Sequence, residues 1–151
     1  MTKFEDSITL LITGISPRLA RLETTVLASL SQPLTHRQYR ILFQISAGRT
    51  YVTALSDVAQ TTVAAVSESV ETLVRRGLVT RGSRPGDRRV STLSLTEQGR
   101  STLAEADSSV RELSSTLAQD LRWDDETTAR FATLIRDLAD VVRSHPRIME
   151  A

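Results

Sequence analysis

Cysteine is absent from these 151 residues, which removes disulfides, thiolate metal sites and cysteine redox sensing and fits a reducing compartment. Long hydrophobic runs are missing too. No stretch approaches the roughly 20 apolar residues that cross a bilayer, and the opening MTKFEDSITLL carries acids where a signal peptide would carry bases. The expectation is a cytoplasmic protein with no membrane partner. Histidine is scarce: His36 and His145 have neither a cysteine nor a paired carboxylate close by in sequence. No glycine-rich loop is present to cradle a phosphate. The acidic run Asp124-Asp125-Glu126 could attract a metal, yet three adjacent acids point in different directions and suit a helix N-terminus better. The expectation is therefore no catalytic residue, no metal and no cofactor.

What is present is a folded-protein composition, about a quarter charged and rich in aliphatics, in a chain sized for one domain or one module with appended helices. The net charge of +1 hides a division. Residues 1–74 are balanced, whereas residues 75–100 hold seven arginines against Asp87 and Glu97, and residues 101–151 carry an excess of four acids. A basic segment confined to one part of a chain is the footprint of a local polyanion contact, or else a solvated basic loop.

Hydrophobic periodicity divides the chain further. Apolar residues from Phe4 through Ile8, Leu11, Ile12, Ile15, Leu19, Leu22 and Val26 to Leu30 recur at helical spacing. A kink or restart is expected at Ser16-Pro17, and Pro33 closes the segment. Thr35 with Gln38 forms a capping box opening a short helix that is expected to bury Tyr39, Leu42 and Ile45 and to end at Gly48. Two helices follow nearly back to back. Leu55, Val58 and Ala59 are expected inward in the first, while the second runs from a Thr62 cap through Val66, Val70 and Leu73 to Gly77. This is a helix-turn-helix arrangement. The period then changes to two: residues 78–81 and 90–95 read as strands joined across Gly82–Arg89, with Pro85-Gly86 as turn chemistry. A hairpin directly behind a helix-turn-helix is a winged helix in sequence.

After Thr96 comes a helix whose Leu103, Ala106, Val110, Leu113 and Leu117 form a narrow 3-4 seam, and Asp124 can cap a last helix carrying Phe131, Leu134, Ile135, Leu138, Val141 and Val142. His145-Pro146 stops it. Such apolar flanking helices need a partner. A second copy of the chain is one solution, with Ile8, Leu11, Leu113, Leu117, Phe131, Leu134 and Leu138 at the interface; a monomeric bundle folded onto the module is the other. The fold class expected is mainly α, an α+β winged helix-turn-helix, with N- and C-terminal dimerisation helices and a two-stranded wing.

Leu34-Thr35-x-x-Gln38-Tyr39-x-x-Leu42, Val66-Ser67, Arg76-Gly77-Leu78-Val79, Asp87-Arg88-Arg89 and Leu93-x-Leu95-Thr96-x-x-Gly99, in this order and at these spacings, resemble the MarR family of transcription regulators over nearly the whole chain. Each motif alone is weak; together they are specific. The resemblance implies a homodimer, expected to act as a repressor at a pseudo-palindromic operator in double-stranded DNA and often relieved by a small aromatic or phenolic effector. It divides the chain into an N-terminal dimerisation helix (1–33), a winged DNA-binding domain (34–96) and C-terminal dimerisation helices (97–151). This chain departs from the pattern at Glu68, where the family often has arginine, and at Gln60-Thr61, where a glycine-hydrophobic pair is more usual.

The stripe opposite Val66, Val70 and Leu73 is Ala64, Ser67, Glu68, Glu71 and Arg75, the side chains that would face the major groove, and Thr62, Val63, Ala64, Ser67 and Glu68 are the expected DNA contacts on this helix. Thr62 can serve as a cap, as a phosphate donor beside the free N–H groups of the helix N-terminus, or as both. Glu68 is repelled by phosphates but can accept from cytosine N4, or it is plain solvated surface. Glu71 and Arg75 suit a surface ion pair. Arg84, Arg88 and Arg89 suit a narrow minor groove, with Asp87 bracing the turn. Arg18, His36 and Tyr39 are the expected effector contacts, in the cleft between dimerisation helices and winged domain where the resemblance places it. The rival reading is a winged helix used only for protein contacts.

Overall fold

A computed structural model of the chain describes residues 2–84 and 87–144, with the side chains of residues 84–90 outside the description. Pro85-Gly86 and His145-Pro146 therefore lie outside the described residues. The first helical run is a rod in three parts: α1 (Lys3–Leu10), a π-helical turn at Leu11–Ile15, and α2 (Ser16–Ala28). Pro17 accounts for the turn, because it offers no N–H to the carbonyl four residues back and its ring crowds that carbonyl. The Ser16 N–H reaches instead to the Leu11 carbonyl, and Arg18 Nη1 donates to the Gly14 carbonyl at 2.6 Å. The interruption at Ser16-Pro17 is thus a widened turn just before the proline.

α3 (His36–Ser46) opens on its capping box. The Gln38 N–H donates to Thr35 Oγ1 at 3.2 Å and the Thr35 N–H donates to Gln38 Oε1 at 3.1 Å. α4 (Val52–Ala59) and α5 (Val63–Arg75) follow, and Gly77, at φ +70, turns the chain out of α5. The hairpin consists of β1 (Val79–Arg84) and β2 (Asp87–Leu95). Pairing therefore runs past Gly82, beyond the strands expected from alternation, since a ladder exposed to solvent needs only backbone partners and not an apolar face. Its register is regular from Val79↔Leu95 to Ser83↔Ser91 and then jumps to Arg84↔Asp87, so residues 88–90 form a bulge in β2. The Leu93 N–H also donates to the Thr50 carbonyl at 2.8 Å, tying the loop before α4 to the sheet.

One core lies where these elements meet. Leu27, Leu30 and Leu34 join Ile41, Leu42 and Ile45 of α3, Leu55 of α4, Val66, Val70 and Leu73 of α5, and Leu78, Val79 and Leu93 of the hairpin. α6 (Glu97–Leu121) closes it with Leu103 and Ala106. Three burial expectations need correction. Tyr39 is only half-buried, and Ile41 takes the core position beside Leu42. Val58 and Ala59 are exposed, although they share the Leu55 face at helical spacing. α4 is two turns long, and its C-terminal turn overhangs an open cleft beside α3 where Leu55 reaches packed side chains.

The α6 junction is tight. Thr96 Oγ1 donates to the Gly77 carbonyl at 2.6 Å and accepts from the Gly99 N–H at 2.9 Å, while the Thr96 N–H donates to the Leu78 carbonyl at 3.1 Å. Further along, α6 is tied to the first arm and to α3. The Ser31 N–H and hydroxyl both donate to the Glu105 carboxylate, at 2.9 and 2.5 Å, which holds that carboxyl below the usual range. The Tyr39 hydroxyl donates to Asp107 Oδ1 at 2.9 Å. Burial, and then this bond to a carboxylate, push the phenol pKa up to about 12. The folded state thus keeps a proton that the unfolded chain releases near pH 10, so this contribution to stability is complete below pH 10 and disappears as pH rises towards 12. In Tyr39→Phe the fall in melting temperature between those pH values should be shallower than in the parent, and stability at neutral pH should drop by about 1 kcal/mol; parallel thermal scans check both.

α7 (Asp125–Ser144) is capped by Asp124, whose Oδ1 accepts from the Thr127 N–H at 2.8 Å. That bond lowers the Asp124 pKa and gives the acidic triplet a structural use. Trp123 meets Phe131 edge-on at 4.9 Å. Otherwise α7 buries no residue, and neither does α1. Of the apolar residues expected at a self-interface, Ile8, Leu11, Leu113, Leu117 and Leu138 are half-buried and Phe131 and Leu134 are exposed. No described helix is long and apolar enough to cross a membrane.

Candidate nucleic-acid interface

α5 presents two faces because Val66, Val70 and Leu73 are spent on the core. On the other side Thr62, Val63, Ala64, Glu68, Glu71 and Arg75 are exposed and Ser67 is half-buried. The N-terminus is capped in the expected way: the Ala65 N–H donates to Thr62 Oγ1 at 3.2 Å. The oxygen is engaged as an acceptor and the hydroxyl still has a proton to donate, so capping and phosphate donation are compatible in one residue.

The turn into α5 departs from glycine chemistry and keeps glycine geometry. Gln60 ends α4 in the left-handed region at φ 48, where a side chain costs about 1 kcal/mol or more, and the Thr61 N–H closes the turn on the Ser56 carbonyl at 3.2 Å.

The arginine-rich window divides by role. Arg76 clasps α5 to the α3 entrance, donating to the Pro33 carbonyl at 2.8 Å and to the Gln32 and Gln38 carboxamides at 3.3 Å. Arg100 is held by Glu97 and by the Leu95 carbonyl at 2.7 and 2.9 Å. Neither was distinguishable from the wing arginines by charge. Arg75 donates to the Thr72 hydroxyl at 3.1 Å, and among the described residues no Glu71–Arg75 ion pair forms, a correction explained by the closer hydroxyl one turn back. Arg81 on β1 is exposed. The side chains of Arg84, Asp87, Arg88 and Arg89 lie outside the described residues; their backbone flanks the turn and bulge of the hairpin.

Glu68 lines a shallow groove with Ser69 and Thr72 of α5 and with Thr35, His36, Arg37 and Gln38 at the N-terminus of α3. The positive end of α3 and the Arg37 guanidinium share that groove and ease the cost of an acid on this face. In Glu68→Ala, affinity for non-specific duplex should rise several-fold and discrimination at one base pair should relax; anisotropy against a panel of single-base variants checks this.

Of Arg18, His36 and Tyr39, the last two both face Glu23 of α2. Arg18 is bonded to Gly14 and Tyr39 to Asp107, while His36 Nδ1 meets Glu23 Oε2 at 2.9 Å and alone of the three lines a described cleft. That cleft, of 440 Å³, lies between α3, α4 and the start of α5. Gln44 lines it, only 8% exposed, and its Oε1 has no hydrogen-bond partner among the described residues. An unsatisfied buried amide oxygen costs about 1–3 kcal/mol. No periodicity in the sequence points to it.

Residues 32–90, from the α3 entrance to the start of the bulged strand, match the model of the MarR family. The match to that family spans the winged module. Solved structures extend the fold likeness over the arms. FabT of Streptococcus pneumoniae, solved in complex with DNA, is 18% identical with a TM-score of 0.79, covering 91% of this chain and 96% of FabT. A Staphylococcus aureus MarR, solved with salicylate and kanamycin, is 16% identical with a TM-score of 0.79 over 93% of each chain. The transcriptional regulator BldR of Sulfolobus solfataricus is 24% identical with a TM-score of 0.70, covering 91% of this chain and 99% of BldR. No protein with a curated description matches the sequence significantly. The fold of this winged module is shared with a transcriptional regulator, BldR.

Proposed function

We propose that the chain is a cytoplasmic homodimeric repressor that binds a pseudo-palindromic operator, with α5 in the major groove and the arginine hairpin in the minor groove. On this reading residues 1–33 and 97–151 build the dimer and residues 34–96 bind DNA. The observation that carries it is the exposed stripe from Thr62 to Glu68, held rigid by a capped, fully buried opposite face beside a hairpin rich in arginine. FabT in complex with DNA supports DNA as the partner, and the S. aureus MarR in complex with salicylate supports a small aromatic or phenolic effector.

Fluorescence anisotropy with random and operator-like duplexes at two salt concentrations tests the DNA reading. Binding that weakens steeply with salt is expected; no binding at about 50 mM salt, or binding without a salt slope, returns the module to protein contacts alone. The exposed apolar faces of α1 and α7 predict a dimer. Sedimentation should show twice the chain mass at micromolar concentration, and a monomer there contradicts the self-association.

A further inference from the structure

Building on the DNA reading proposed above, we infer that His36 makes binding proton-linked: the duplex complex takes up protons at this ring, and affinity rises as pH falls from about 7 to 5.5. Histidine is the side-chain type whose ordinary charge change falls in that interval, and the chain has two histidines and no cysteine. His36 stands where three parts of the molecule meet. Its Nδ1 lies 2.9 Å from Glu23 Oε2 of the α2 arm, with 60% of the His36 side chain and 25% of the Glu23 side chain exposed. The ring also lines the cleft beside α4 and, with Arg37, the shallow groove that Glu68 and Thr72 of α5 bound on the other side. Glu68 belongs to the exposed stripe, so a duplex seated on that stripe brings its phosphates over this groove.

The charges around the ring fix the sign. From α2, Glu23 favours the imidazolium; a neutral ring can keep the same bond by donating from Nδ1, so the contact survives deprotonation while its ionic part does not. From α5, Glu68 favours the charged ring across the groove. α3 itself opposes it with Arg37, Arg40 and the positive end of the helix. The α4 wall of the cleft adds no charge among the described residues, and Asp107 of α6 is taken by the Tyr39 hydroxyl at 2.9 Å and approached by Arg111 at 4.0 Å. The free protein therefore holds the ring between two acids and two guanidinium groups. DNA phosphates add negative charge on the exposed side and neutralise the arginines, which leaves the proton favoured in the complex. By reciprocity, each proton taken up on binding strengthens the complex as pH falls.

The full chain is titrated against a random duplex across this pH interval at constant ionic strength, with fluorescence anisotropy for affinity. Calorimetry in two buffers of different ionisation heat counts the protons taken up. The parent should gain about tenfold, roughly threefold from each of the two protomers proposed, with net proton uptake. His36→Gln should lose most of the gain and of the uptake, with thermal scans reporting that it folds. His36→Arg fixes the positive charge; at the upper end of the interval it should bind as tightly as the parent does at the lower end, an outcome that misfolding does not produce. Glu23→Gln should move the rise to lower pH, and His145→Gln should leave it in place. Should His36→Gln prove unstable, proton uptake that persists in His145→Gln assigns the site to His36 by elimination. A salt-dependent complex with a flat pH profile, or with the same profile in the parent and in His36→Gln, overturns the proton linkage and leaves the DNA reading intact. No duplex binding anywhere in the interval overturns both.

Discussion

Replacing Gly99 with alanine is expected to lower the melting temperature by roughly 6–12 °C, the shift that about 3 kcal/mol produces in a chain of this length. A Cβ at this position would stand 1.9 Å from the Leu78 carbonyl oxygen and 2.9 Å from its carbon. Both are backbone atoms, and neither can step aside. The Leu78 carbonyl already accepts from the Thr96 N–H, and Leu78 itself is fully buried. Relief therefore requires the first turn of α6 to lift away from the end of α5, breaking the Thr96 to Gly77 bond and loosening Leu103 in the core. Differential scanning calorimetry reads the loss directly. An unchanged melting temperature would mean that α6 and the winged module are not in van der Waals contact here.

Replacing Arg88 and Arg89 together with alanine is expected to weaken DNA binding about a hundredfold near 0.1 M salt, and to lower the slope of log affinity against log salt by nearly two. Each phosphate neutralised releases a counterion, so each lost contact removes about 0.9 from the slope. The weakening should be similar for random and operator-like duplexes, because phosphate contacts position a protein without reading bases. Arg76→Ala makes the contrasting control. Its guanidinium is committed to Pro33, Gln32 and Gln38, so stability should fall while the salt slope stays. If the double wing variant leaves the slope untouched, the hairpin has no part in binding DNA.

Local chemistry made much of this fold legible in advance. The Thr35–Gln38 box, the Thr62 cap, the left-handed Gly77 and the Asp124 cap are each decided within four residues of chain. Periodicity was a good guide where an element crosses the core, as at Val66, Val70 and Leu73. It misled at Val58 and Ala59, because spacing reports which side chains share a face and not whether another element covers that face. Charge had the same blindness: Arg76 and Arg100 count with the wing arginines in sequence, and only the position of Pro33, Glu97 and the Leu95 carbonyl sets them apart. Gln44 sits in a pattern common to amphipathic helices. Its isolation depends on three elements meeting around it, which no single stretch encodes.

The close contact at Gly99 and the Arg76 clasp join α5, the hairpin and the base of α6 into one rigid piece. α6 has 25 residues and so extends about 37 Å. It acts as a lever. In the proposed dimer, a tilt of about 10° where two such arms cross swings the far end by about 6 Å, close to two base-pair steps along DNA. The gap between two operator half-sites is then a reading of the crossing angle of two helices, set far from any base.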